Sequence, residues 1–312
     1  MNVVAGIETF RPRGGPVNLG LGTFDGLHKG HRAILDVLQR TSPPGGETVV
    51  TTFDPHPLTV IAPPQGPFLL STLEERIELF RGAGVDTLIV VRFDHTLRTR
   101  PARAWLEQVE RYLRPARIVV SSTHAFGHNR EGTVAMLESW ASAQGIAVTV
   151  VPPVTDDGVT ISSTAIRQRL REGDVRGAAM WLGRWYSIRG KVIPGAGRGR
   201  QIGVPTANLS VPPEKLLPAH GVYAAYATAG QDTHPAAVNI GIRPTFGGGA
   251  ASVEAHLIDA KVDLYGDTLD VGLVERLRSE QRFSDVAGLV DQIGADIRAA
   301  RRILQQRQPE TV

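Results

Sequence analysis

The sequence predicts two domains of different build: an α/β domain with a doubly wound parallel sheet, then an antiparallel β-barrel with a C-terminal helix. Three observations carry this. At 312 residues the chain exceeds the usual size of one hydrophobic core. Through the first half, apolar runs of strand character alternate with stretches of helical periodicity, the order that builds a parallel sheet. Past Gly183 the runs become short, dense and punctuated by glycine and proline, as in a barrel. The boundary is set there, giving domains 1–183 and 184–312.

The first strand is the run Val17, Leu19, Leu21, and the first helix presents Ala33, Ile34, Val37 and Leu38 along one face. Between them lies Gly22-Thr23-Phe24-Asp25-Gly26-Leu27-His28-Lys29-Gly30-His31. A strand, a glycine-rich turn and a helix start make a place where backbone N–H groups converge on an anion. His28 and His31, three apart at the helix start, can face one phosphate. A metal pair or a plain turn would show the same two histidines, although no HExxH pattern accompanies them.

Residues 48–53 read as a second strand, followed by Asp54-Pro55-His56-Pro57. The two prolines are expected to bar a helix there and hold His56 in extended chain at the carboxyl edge of the sheet. Ser71 or Thr72 caps a helix carrying Ile77, Leu79 and Phe80. Residues 85–91, 117–120 and 146–151 are further strands, and 102–113 and 134–140 further helices. In Ile161-Ser162-Ser163-Thr164-Ala165-Ile166-Arg167, three hydroxyls open a helix that needs only one as a cap. With Arg167 and free N–H groups they suit phosphates. A helix running to Trp181 ends the domain.

In the second half, Gly195 and Arg200 stand in a glycine-dense loop before Pro205-Thr206-Ala207-Asn208. Thr206 and Asn208 alternate along extended chain, so both can face one ligand, and their oxygens are hard donors suited to Mg²⁺. In Ser252–Leu257 the pattern puts Glu254 and His256 on one face and Val253, Ala255 and Leu257 on the other. Ser284 is read as the cap of a final helix carrying Val286, Leu289, Val290, Ile293, Ile297 and Leu304.

Composition narrows the function. Charged residues are 21% of the chain, and the net charge of +3 is carried almost wholly by scattered arginines. No basic block interleaved with aromatics marks a nucleic-acid surface. Cysteine is absent, which excludes disulfides, thiol nucleophiles and cysteine metal sites. No apolar run of about 18 residues occurs, so a cytoplasmic enzyme without membrane partners is expected.

The stretch 22–31 resembles the Gly-x-Phe-Asp-x-x-His-x-Gly-His signature of nucleotidyltransferases, in the form used by bacterial FAD synthetases. Phe53-Asp54-Pro55-His56-Pro57 and residues 161–167 are similar to two further elements of that family. The resemblance implies that His28 and His31 stabilise charge on the α-phosphate of ATP. It also implies nucleotide contacts for Gly22, Thr23, Phe24, Asp25, His56, Ser162, Ser163, Thr164 and Arg167. The second half resembles the riboflavin kinase module that follows in bifunctional bacterial enzymes. There the likeness implies Thr206 and Asn208 as ligands of Mg²⁺ and nucleotide, Gly195 and Arg200 as nucleotide contacts, and Glu254 as general base.

Flavin contacts fall by the same likeness on Thr123, Phe126, Arg278 and Phe283. One segment departs from the pattern. Where the family shows Gly-x-(Asn or Asp)-Phe-x-Phe-Gly, this chain reads Ser121-Ser122-Thr123-His124-Ala125-Phe126-Gly127, and Arg103 stands where an acid is common. The implied function is phosphorylation of riboflavin to FMN by ATP, then adenylation of FMN to FAD with release of pyrophosphate. The alternative is a riboflavin kinase whose N-terminal domain is a weak, regulatory or differently specific nucleotidyltransferase. A homo-oligomer is compatible with either.

Overall fold

The computed structural model describes residues 1–195, 199, 203–242, 251–260 and 262–307. It divides the chain into two compact units, Met1–Ser163 and Thr164–Val312.

The first unit is built on a parallel sheet of β1 (Asn2–Ala5), β2 (Val17–Leu21), β3 (Glu47–Asp54), β4 (Thr87–Arg92), β5 (Pro115–Ser121) and β6 (Ala147–Val151). Their spatial order is β1-β4-β3-β2-β5-β6, and β7 (Thr155–Asp156) and β8 (Val159–Thr160) form a separate two-stranded antiparallel ribbon. All five residues of β2 are buried, as a central strand covered on both faces requires. The helices are α1 (Lys29–Arg40), α2 (Pro57–Ile61), α3 (Leu73–Gly82), α4 (His95–Arg98), α5 (Ala102–Leu113) and α6 (Val134–Ala143). One face of the sheet packs Leu19, Val49 and Ile118 against Trp105, Leu106 and Val109 of α5. The other packs Val50, Leu88 and Val119 against Ile34 and Leu38 of α1 and Phe80 of α3.

This order decides where a ligand sits. The chain winds outward from β2 through β3 and β4, then crosses to β5 on the other side of β2. The switch point lies between β2 and β5, and crevices in such sheets open at the carboxyl ends of those strands. The turn at 22–31 leaves β2 there, and Ser121–Phe126 leaves β5 beside it.

One local expectation is corrected and one open choice is decided. Pro57 does not prevent a helix but opens the one-turn α2, because proline suits the first helical position; His56 is its N-cap. Thr72 rather than Ser71 caps α3, in a reciprocal box with Glu75.

In the second unit, the helix leading to Trp181 is two helices, α7 (Ser163–Glu172) and α8 (Val175–Leu182). They break at Gly173, whose φ of +83° favours glycine and over which the Arg276 side chain lies. The barrel comprises β9 (Tyr186–Ile193), β10 (Ala207–Ser210), β11 (Gly221–Ala229), β12 (Asp232–Ile242), β13 (Ala251–Leu257) and β14 (Thr268–Arg278). It closes in the order β10-β13-β12-β11-β14-β9. Val271, Leu273 and Ile188 are fully buried.

The C-terminal helix Val286–Gln305 covers an outer patch of Ala224, Ala237 and Val274 with Ala300 and Leu304. Its cap is Asp285, which accepts from the Gly288 N–H at 2.8 Å, not Ser284. Val286 is 63% exposed instead of packed, because the apolar face meets the barrel only further along.

Trp181 and Leu182 of α8 are buried, and α8 packs on β9 and β14. Packing therefore groups α7 and α8 with the barrel, although the sequence changes style only at Gly183.

Candidate active sites

The turn after β2 is held in a demanding backbone. Phe24 has φ +56° and Leu27 φ +37°, left-handed values that cost a bulky residue about 1–3 kcal/mol each. Burial maintains them, since Phe24 is 1% and Leu27 0% exposed. The Phe24 ring points into the core, edge-on to Phe80 at 5.5 Å and to His31 at 5.1 Å. A Cβ at Gly22 would lie 2.8 Å from that ring, so the glycine makes room for Phe24.

Asp25 acts as a latch. Its buried carboxylate accepts from Leu70 N–H at 3.1 Å, Ser71 N–H at 2.9 Å and the Ser71 hydroxyl at 3.1 Å. Ser71 Oγ in turn accepts from Gly26 N–H at 2.9 Å. Asp25→Ala would leave two buried backbone donors unmatched, at about 1–3 kcal/mol for each. The expected result is a urea midpoint for the first unit well below that of the parent protein.

Behind the turn lies Arg76 of α3. It is 0% exposed, and Nη1 donates to the Thr52 hydroxyl at 2.9 Å, the Phe53 carbonyl at 3.1 Å and the Thr23 carbonyl at 3.4 Å. Burial lowers its pKa, opposed by the charges of Asp25, Asp54 and Glu75. One guanidinium thus ties the turn to the end of β3, and His56 follows that end.

At the start of α1 the two histidines stack, ring centroids 3.6 Å apart. His28 is the N-cap, its Nδ1 accepting from His31 N–H at 3.3 Å. A neutral ring whose Nδ1 accepts carries its proton on Nε2, so His28 offers an N–H donor. The N-terminal turn of α1 adds the partial positive charge of its helix dipole. His56 caps α2 the same way, accepting from Leu58 N–H at 3.1 Å, with Phe68 edge-on at 5.0 Å. Ser163 Oγ donates to the Asp25 carbonyl at 2.8 Å, which joins the hydroxyl cluster to the turn. Ser162 precedes it, half-buried. Thr164 and Arg167 belong to the second unit, where Thr164 is exposed and Arg167 buried.

The divergent segment beyond β5 folds as a turn. Thr123 is exposed, its hydroxyl 3.3 Å from that of Ser121. Phe126 is bridged to Gly132, and His124 stacks on its ring at 5.6 Å. Burial, with the charge of Arg130, pushes His124 down to about 4, so it is neutral near pH 7.

The barrel carries the second group. Asn208 pairs with Glu254, and Glu254 with Asn239, so the three lie in one row across β10, β13 and β12. Opposed residues of antiparallel strands share a face. His256 pairs with Ala237, whose outward position under the helix puts this whole row on the outer face. Thr206 Oγ1 is 3.5 Å from Glu254 Oε2. A Cβ at Gly195 would overlap the Asn208 amide, so this glycine leaves the space that the amide fills. Arg200 lies outside the described residues. Among the described residues no group of three or more histidines or carboxylates is placed to hold a metal. The oxygens that come together are those of Thr206, Asn208 and Glu254, a hard donor set that suits Mg²⁺ shared with phosphates.

Arg278 does not present its guanidinium outward. Nε donates to both Asp296 oxygens at 3.0 Å, and Nη2 to Asp296 Oδ2 at 2.8 Å. Its guanidinium carbon lies 5.9 Å from the centroid of the Phe283 ring. Arg278 therefore clamps the 278–283 segment to the C-terminal helix. Asp296, sequestered there and also bound by Gln292 at 2.9 Å, gave no signal in the sequence beyond an acid on an apolar helix face.

Comparison with known proteins agrees with both halves. A family model described as FAD synthetase matches residues 13–165, and one described as riboflavin kinase matches 182–304. The bifunctional riboflavin kinase/FMN adenylyltransferase of Escherichia coli K12 is 35% identical over 99% of this chain and 100% of its own length. That of Pseudomonas fluorescens is 34% identical over 97% and 98%. A crystal structure from Streptococcus pneumoniae, described as a macrolide-efflux protein, matches with a TM-score of 0.88 at 30% identity, covering 96% of this chain and 99% of that one. Among the described residues of the present chain no helix is long and apolar enough to cross a membrane. With both modules present in order and a relative aligned end to end, the chain belongs to the bifunctional riboflavin kinase/FMN adenylyltransferase family.

Proposed function

We infer that the chain phosphorylates riboflavin to FMN and adenylates FMN to FAD, with ATP used at one site in each module. The observation that carries this is the folding of each ATP-type motif onto an element fit for it. One is a strained turn at the switch point of a parallel sheet, the other a polar row across three barrel strands. The modules are taken as 1–183 and 184–312, the boundary at which the sequence changes style.

In the kinase, Glu254 takes the proton of the ribityl 5′-hydroxyl as its oxygen attacks the γ-phosphorus, and ADP leaves. Thr206 and Asn208 would hold Mg²⁺, which when bound would neutralise charge on the phosphates. Gly195 admits Asn208, Arg200 contributes positive charge toward the nucleotide, and Phe283, fixed by Arg278, offers an apolar face to the flavin.

In the adenylyltransferase, a phosphate oxygen of FMN attacks the α-phosphorus of ATP and pyrophosphate leaves. His28 and His31, with the first turn of α1, donate to the α-phosphate as charge builds there. Gly22, Thr23, Phe24 and Asp25 act by shaping that turn, and His56 flanks the nucleotide. Ser162, Ser163, Thr164 and Arg167 take the β- and γ-phosphates. Thr123 and Phe126 border the flavin side. The reading carries with it a cytoplasmic location and small-molecule partners without nucleic acid or membrane, and it is compatible with a homo-oligomer.

Incubation with riboflavin and MgATP, with separation of products over time, is the direct test. FMN should appear first, then FAD with one pyrophosphate per FAD. Accumulation of FMN without FAD would favour the kinase-only reading that the Ser121–Ala125 departure motivates.

A further inference from the structure

His256 is assigned no part in either reaction. It lies two residues beyond Glu254 on β13, on the same outer face. The ladder between β10 and β13 runs through Leu209–Val253, Asn208–Glu254 and Ala207–Ala255, and ends there. The next position would set Thr206 opposite His256, but the backbone does not pair. Instead the imidazole continues the tie: His256 Nδ1 lies 2.8 Å from the Pro205 carbonyl oxygen. A carbonyl can only accept, so Nδ1 carries the proton and donates. Thr206 is thereby held from both sides, by the last ladder pair at Ala207 and by the imidazole bond at Pro205.

We propose that His256 is a positioning residue of the kinase, whose Nδ1–H bond to Pro205 fixes the Thr206 hydroxyl beside Glu254. It acts through Thr206, whose Oγ1 stands 3.5 Å from Glu254 Oε2. Without the bond, the chain before Ala207 has one anchor fewer and the hydroxyl drifts from where the phosphates need it. The proposal rests on the assignment of Thr206, Asn208 and Glu254 to the kinase site.

His256→Ala and His256→Asn separate the bond from the bulk of the ring, because the Asn amide nitrogen occupies about the place of Nδ1 and still donates. His256→Ala is expected to lower kinase kcat/KM about 10–100-fold, the range for misplacement by an ångström or less. It should also raise the Mg²⁺ concentration needed for half-maximal rate. His256→Asn should recover most of both, whereas His256→Asp, equal in size but only an acceptor, should not. FAD formation from supplied FMN should be unchanged in every variant, which reports a folded chain. Should His256→Ala fail to fold, the Asn and Asp pair decides alone. Equal kinase rates and Mg²⁺ dependence in the Asn and Asp variants would overturn the proposal. Glu254→Gln serves as the reference. If it too is fully active, the site assignment is wrong and the proposal falls with it; if it is inactive while His256→Ala is normal, only the proposal falls.

Discussion

Glu254→Gln is expected to reduce FMN formation from riboflavin by about 10²–10⁴-fold, the contribution of a positioned general base. FAD formation from supplied FMN should continue at the parent rate. The substitution is chosen because glutamine keeps the size of the side chain and an oxygen that can still accept from Thr206 Oγ1. Asn208 and Asn239 on either side of Glu254 in the ladder are left in place, as is the barrel core behind β13. What glutamine cannot do is take up a proton. A fall in kcat with little change in the KM for ATP would place the loss in the chemical step. Measuring FMN by fluorescence after chromatographic separation resolves it.

His28→Asn is the matching test in the other module. Asparagine is a good N-cap residue, and its side-chain oxygen takes over the acceptor role that His28 Nδ1 plays toward His31 N–H. The start of α1 and the stability of the first unit should therefore be preserved. The donor on Nε2 is lost, and with it the contact to the α-phosphate when charge develops there. Loss of one such donor typically costs about 10²–10³-fold in kcat, and FAD formation from FMN should fall by that much. Riboflavin phosphorylation should not change. His28→Ala would be a poorer choice, because it removes the cap as well as the donor.

The sequence was most legible where burial imposes a pattern. Strand β2 and helix α5 fall where apolar spacing puts them, and His28, His31 and His56 fall at the carboxyl edge of the sheet, because the strand–turn–helix order fixes that edge. That Glu254 and His256 share a face follows from alternation along β13 alone. Short elements escaped. β1, α2 and α4 carry too few residues for a period, and the break between α7 and α8, a left-handed Gly173 followed by the N-cap Asp174, interrupts a pattern that otherwise reads as one helix. Roles that depend on pairing across the fold were equally hidden. Asp25 and Arg278 read as ligand contacts, and their local sequence does not show that Asp25 latches the turn to Ser71 or that Arg278 clamps to Asp296. Arg76 was invisible because nothing in a helix heptad says that a buried arginine will find three acceptors on two other elements. Phe24 and Gly22 shape the turn through one another.

The central claim is that two transfers run at two separate sites, joined only by FMN. It is tested most directly by mixing Glu254→Gln and His28→Asn in one reaction with riboflavin and MgATP. Neither variant alone should make FAD from riboflavin at more than a small fraction of the parent rate. Together they should restore it, because FMN released by the His28→Asn kinase is adenylated by the intact first module of Glu254→Gln. A mixture as inactive as either variant alone, with FMN accumulating but no FAD, would contradict the account, as would the loss of both activities in either folded single variant.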